Sequence, residues 1–279
     1  LCHAVNEEKF TTYSERPAFY EYIIEMAKEK ENPLIDLYLH IYSLLTTIND
    51  GAIFISLKEK IATINFIDEN EWRIIFQYSI NYCIIQLNKG NTNFEQELFD
   101  IYKTYLEKIN DKIFSPFRYK NIINLSLKLK QYNFAATFID DYGKKLPTEL
   151  QQTSIAFNKA KLNYELKKFD LVIEILQHVK TDDITFNLST KVLLVKTFYD
   201  KKEFQFLESF LESFRVFVLR SKQMNTTTKK THFDFIKISK KLINLDYKSR
   251  KEIDLFTEKI NKQENLTDKT WLLEKINAI

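Results

Sequence analysis

Four histidines, two cysteines and a few paired carboxylates are the residues of this 279-residue chain with chemistry to offer. His3, His40, His178 and His232 stand far apart, with no His-Glu-x-x-His and no Cys-x-x-Cys. Zinc sites use ligands at such short spacings, so no metal or other cofactor is expected. Cys83 lies in an apolar helical pattern and reads as a small buried hydrophobe rather than a nucleophile. With only Cys2 beside it there is no disulfide framework, and a reducing, cytoplasmic compartment is expected. Asp140-Asp141 and Asp182-Asp183 are adjacent pairs. Neighbours on a helix point about 100° apart, so neither pair frames a cleft for general acid–base work. Asp182-Asp183 reads instead as the cap of a helix starting near residue 183. Gly51, Gly90 and Gly143 stand alone. Phosphate-binding loops, dinucleotide folds and hydrolase elbows need glycine-rich turns. A chain without them is expected to be non-catalytic.

Charge offers a second kind of chemistry. The net charge is +3, from 41 basic and 38 acidic residues. The excess of Lys over Arg, with abundant Ile, Asn, Phe and Tyr, reads as the codon bias of an AT-rich genome. Between Leu219 and Lys251 ten Lys or Arg stand against two Asp, a local net charge of +8. Lys230, Lys237, Lys241 and Lys248 recur at steps of seven, four and seven, which makes one stripe. Phe233, Ile236, Leu242 and Ile243 are its apolar counterpart. Such a stripe can lie along phosphates, so binding of nucleic acid or an anionic surface is the alternative function. Scarce Arg weighs against it, because Arg makes the bidentate phosphate and guanine contacts. A solvated face of a Lys-rich helix is the preferred reading. No run approaches the ~18 apolar residues of a membrane span, and residues 1–8 lack the apolar region of a signal peptide.

The elements that position these residues are helices. Apolar residues recur at helical spacing almost throughout, with no convincing alternating run. Fourteen helices are predicted, from 17–30, 33–47 and 51–63 to 249–262 and 268–278. Pro33, Pro116 and Pro147 stand at helix starts, where a missing N–H costs little. Asp68 to Glu71 reads as a capping box, with the Glu71 carboxylate reaching back. Short connections make neighbours antiparallel hairpins. Arg215, inside an apolar run, needs Glu212 as its carboxylate if buried.

The middle of the chain repeats. Tyr132, Phe169 and Phe204 align, followed three residues later by Ala135, Val172 and Leu207. Phe138, Ile175 and Phe210 come next, then Ile139, Leu176 and Leu211. The separations are 37 and 35 residues, with a weaker copy from Phe94. A two-helix unit at this period is an α-solenoid signature, because one hairpin cannot bury its apolar stripe alone. The units resemble degenerate tetratricopeptide repeats: Ala135, Ile139 and Pro147 keep the Ala-x3-apolar spacing and closing Pro, and Ala160 and Phe169 match the packing positions. The usual Trp and Gly are absent. Residues from about 30 onward resemble a family of helical-repeat proteins from Bacteroidota with no assigned reaction. Ser115 to Ile122, Asp182 to Leu188, Phe204 to Arg220 and Trp271 to Lys275 carry that likeness.

The resemblance implies an all-α, right-handed α-solenoid of antiparallel hairpins, with period about 34–38. It implies a helical cap over 1–66, a repeat array over 67–222 and a second cap over 223–279. It also implies a concave groove lined by helices 116–130, 148–167 and 183–200. Groove residues are then Lys120, Asn124, Lys128, Phe157, Asn158, Lys161, Tyr164, Lys196 and Tyr199. Lys120, Asn124 and Asn158 resemble the start of a carboxylate clamp, but Ser189 and Leu193 stand where its further basic residues belong. The expected function is a scaffold that binds a peptide or helix of another protein in this groove.

Overall fold

The computed structural model describes residues 2–8, 18–47, 51–64, 67–179, 181–245 and 250–278. The described residues form fifteen helices and no strands. The chain divides into two compact units, Leu1–Gln131 and Tyr132–Ile279. The division falls within the stretch expected to be one repeat array.

Unit 1 holds α1 (Cys2–Glu8), α2 (Tyr20–Lys28), α3 (Pro33–Thr46), α4 (Gly51–Thr63), α5 (Glu69–Asn88), α6 (Phe94–Lys108) and α7 (Pro116–Lys128). Helices α3 and α4, α5 and α6, and α6 and α7 pack as sequential neighbours, while α1, α2 and α5 also meet α3. Unit 2 holds α8 (Tyr132–Gly143), α9 (Thr148–Glu165), α10 (Phe169–Gln177), α11 (Ile184–Asp200), α12 (Phe204–Arg220), α13 (Thr226–Ile243), α14 (Arg250–Asn261) and α15 (Lys269–Asn277). Here each helix from α8 to α12 packs on the next, α12 packs on α13, and α9 also touches α11. Helix α15 leans on both α13 and α14.

Side chains start many of these helices. Asn32, Asp68 and Asp183 each accept from two backbone N–H groups of the first turn, and Ser115 and Asn225 accept from one. That satisfies donors with no partner inside the helix. The capping box at Asp68 is only half formed. The Glu71 carboxylate does not reach back but accepts from the Tyr38 hydroxyl of α3 at 2.5 Å. Helix α1 was not expected from the sequence, whose pattern was too short to read.

Helix ends repeat more closely than helix starts. After α5, α7, α9 and α11 the chain makes the same pair of backbone hydrogen bonds. Gln131 N–H reaches Ser126 O and Lys130 N–H reaches Leu127 O; the same offsets recur at Gly90–Asn91, Lys167–Lys168 and Lys202–Glu203. This is the Schellman stop, and it needs one residue in the left-handed region. Gly90 supplies it with φ 89°, but Lys130, Lys167 and Lys202 supply it with φ 57°, 57° and 61°. Each of these lysines stands two residues before the aligned Tyr132, Phe169 or Phe204. Three residues into each following helix, Ala135, Val172 and Leu207 are all fully buried. The sequence repeat is thus also a repeat of backbone and burial.

A side chain with a Cβ is strained in the left-handed region, and glycine is not. Replacing Lys130, Lys167 or Lys202 by Gly is therefore expected to stabilise the protein, by about 1 kcal/mol per site. Urea denaturation of the three single variants checks this, and a lowered midpoint at all three would refute it.

Candidate functional site

The residues expected to line a groove divide between the two units. Lys120 and Lys128 are exposed on α7 and Asn124 is half-buried there. The Lys128 ammonium binds the Glu95 carboxylate of α6 at 2.5 Å. The other six belong to unit 2. There Phe157 and Lys161 of α9 and Lys196 of α11 come together around a hollow of about 480 Å³. Its floor is apolar, made by Phe157 with Leu188, Val192 and Leu193 of α11. Thr185 and Ser189 of α11, Thr228 and His232 of α13, and Thr267 and Asp268 before α15 complete the wall. The Phe157 ring meets Phe186 edge-on, at 5.9 Å between centroids. Ser189 and Leu193, which break the clamp pattern, thus help to form this hollow.

Asn158 corrects the sequence expectation. It is buried, and its amide donates to Ser154 O one turn back at 2.8 Å. Its neighbour Phe157 takes the open position because adjacent helical residues diverge by about 100°.

Helix α15 closes one end of the same face. Lys196 pairs with Asp268 at 2.9 Å and lies over the Tyr164 ring at 5.1 Å. Tyr164 donates to one oxygen of Asp200 at 2.5 Å, and Lys275 binds the other at 2.5 Å. Burial and the Asp200 carboxylate both push the Tyr164 phenol well above its ordinary range. Tyr199 meets Trp271 edge-on at 5.4 Å, and Trp271 is buried. Tyr199 therefore meets α15 itself, Lys196 pairs with the residue before it, and Tyr164 bonds the Asp200 that Lys275 of α15 binds. Asp200, Asp268, Trp271 and Lys275 had no local signal in the sequence, because their partners lie far along the chain. Asp200 ends α11, where a negative charge opposes the helix dipole, and Lys275 offsets it.

His232 brings a titratable group to the wall of the hollow. Its Nδ1 lies 2.8 Å from Thr228 O. A carbonyl only accepts, so Nδ1 carries the proton and Nε2 is left as an acceptor. Burial lowers its pKa below the ordinary 6.5, against the raising effect of the Thr228 bond. Cys83 is fully buried on α5, and burial pushes its thiol up to about 12. Among the described residues no three His, Cys, Asp or Glu side chains gather as a metal site.

The basic stripe is partly engaged. Lys230 and Lys237 are exposed on α13. Lys241 approaches Glu252 at 3.7 Å and lies over the Phe256 ring at 4.7 Å. Its neighbour Lys240 binds Glu212 at 2.7 Å. Lys248 lies outside the described residues. Arg215 takes Glu212 as its partner at 2.6 Å, on an exposed rather than a buried face. No described helix is long and apolar enough to cross a membrane.

Compared with family models, curated proteins and solved structures, the chain matches none.

The lowered pKa of His232 gives a signed expectation. The unfolded chain takes up the His232 proton near pH 6.5, and the folded chain only at lower pH. Between these values the unfolded state binds more protons, so stability falls as pH drops below 6.5. His232→Gln is expected to flatten that part of the profile. Urea midpoints from pH 7.5 to pH 5 read it, and an unchanged slope would refute the assignment.

Proposed function

We propose that this chain is a non-catalytic interaction module that binds a peptide or helix of another protein at the hollow of unit 2. The observation that carries this reading is the make-up of the hollow. Phe157, Leu188, Val192 and Leu193 form an apolar floor below Lys161, Lys196 and four hydroxyl side chains. An apolar floor seats an anchoring side chain, and hydroxyls and amines meet carbonyls or carboxylates beside it. The walls come from packed helices, so little order has to be imposed on binding.

The finer reading of the fold belongs to the same proposal. It is a right-handed, tetratricopeptide-like α-solenoid. Support comes from the identical helix ends at Lys130, Lys167 and Lys202 and from the contact of α9 with α11. Stacked hairpins make extended concave surfaces that suit peptides and helices. The free thiols of Cys2 and Cys83 suit a reducing cytoplasm.

Selection of peptides from a displayed random library on the full chain, followed by calorimetry, tests the reading. Ser189→Trp, which fills the hollow, and Lys161→Glu are each expected to weaken a selected peptide by about tenfold or more. Failure to select any peptide, or binding indifferent to Ser189→Trp, would sink the reading. Capture of polyanions alone, lost in Lys230→Glu with Lys237→Glu, would move the function to the α13 stripe.

A further inference from the structure

Helix α2 presents its apolar side outward. None of its nine residues is buried. Tyr20, Ile24 and Ala27 are its half-covered positions, on the side toward α3. Tyr22, Ile23 and Met26 share one face of α2, and Phe19 stands just before its first residue, yet Phe19, Tyr22, Ile23 and Met26 are 82%, 61%, 47% and 37% exposed. A stripe of this kind on a globular helix normally faces a core. Scattered exposed apolar residues need no explanation, but three on one face with a fourth at its start do.

The stripe continues into a hollow of about 430 Å³. Ile23 stands on its edge, with Leu34, Leu39 and Tyr42 of α3 and Ile74 of α5 among the walls. Ile74 is itself 43% exposed. Along one flank of the stripe run Glu21, Glu25 and Glu29, four residues apart and all exposed. None of the three forms an ion pair with a described residue. The surface is thus an apolar ridge and hollow with a row of negative charge on one side.

The geometry points to a second docking surface, on α2 and the adjoining hollow of unit 1, for a basic amphipathic helix of a partner protein. A large apolar side chain of that helix enters the hollow beside Ile23. Others at helical spacing cover Phe19, Tyr22 and Met26, and a Lys or Arg edge meets Glu21, Glu25 and Glu29. The charge row selects this occupant over an anionic membrane surface, which it would repel. The site lies wholly within unit 1.

The test uses the full chain and two synthetic peptide helices with the same leucine face, one edged with Lys and one with Glu. Fluorescence anisotropy is expected to show binding of the Lys peptide only, weakened by raised salt. Ile23→Ser with Tyr22→Ser is expected to reduce it about tenfold or more, and Glu25→Lys with Glu29→Lys by several-fold. These positions are exposed, so the variants fold, and a circular dichroism melt verifies that. Equal binding of both peptides, or of the Lys peptide to every variant, overturns the proposal. So does binding of the chain to anionic vesicles, or self-association in sedimentation, if Ile23→Ser with Tyr22→Ser abolishes it.

Discussion

A helix that ends must turn its last carbonyls to some donor, and this chain solves that problem in one way four times. The pair of hydrogen bonds at Gly90, Lys130, Lys167 and Lys202 fixes where each helix stops. It also fixes how many residues separate the stop from the next apolar face. At the three Lys stops the aromatic residue follows two positions later, and the fully buried residue three after that. The buried face of α8, α10 and α12 thus begins at one fixed spacing from the stop before it. Lysine at three of these positions shows that the stop is retained despite local strain. It also accounts for part of the scarcity of glycine.

Much of this architecture was legible in the sequence. Prolines and Asx or Ser caps marked some of the starts, and predicted and observed boundaries of α3 to α15 agree within about two residues, the usual uncertainty of a helix end. The burial pattern at Ala135, Val172 and Leu207 was legible because helical periodicity reports the core-facing side. What stayed hidden depends on distant partners. Glu71 was expected to close its own helix start, but Tyr38 offers a hydroxyl from another helix. Asn158 is the exception, since its partner is local, the Ser154 carbonyl one turn back. Lys196 looked available until Asp268 was brought to it. Local pattern specifies which face of a helix is apolar. It does not specify which charged residue elsewhere will meet a lysine.

That limit matters in a chain so rich in lysine. Lys128 with Glu95, Lys159 with Asp140, Lys201 with Asp170 and Lys275 with Asp200 each tie one helix to another or to a turn. Exposed pairs of this kind contribute little individually. Each marks one fixed point of contact between two elements. Counting lysines on a face therefore overstates the charge left for a ligand. The hollow of unit 2 is better described by its apolar floor than by its amines.

The seating of Trp271 against Tyr199 and Phe235 bears on how the protein is made. Helices α11 and α13 leave the ribosome well before α15 does. Until Trp271 emerges, the Tyr199 and Phe235 rings lack its indole, and Lys196 and Asp200 lack Asp268 and Lys275. A nascent unit 2 that still lacks α15 thus leaves apolar surface open to solvent, the kind of surface that chaperones bind. Completion of its interior is coupled to translation of residues beyond 268, so a ribosome stalled before that point would display a sticky, half-finished face.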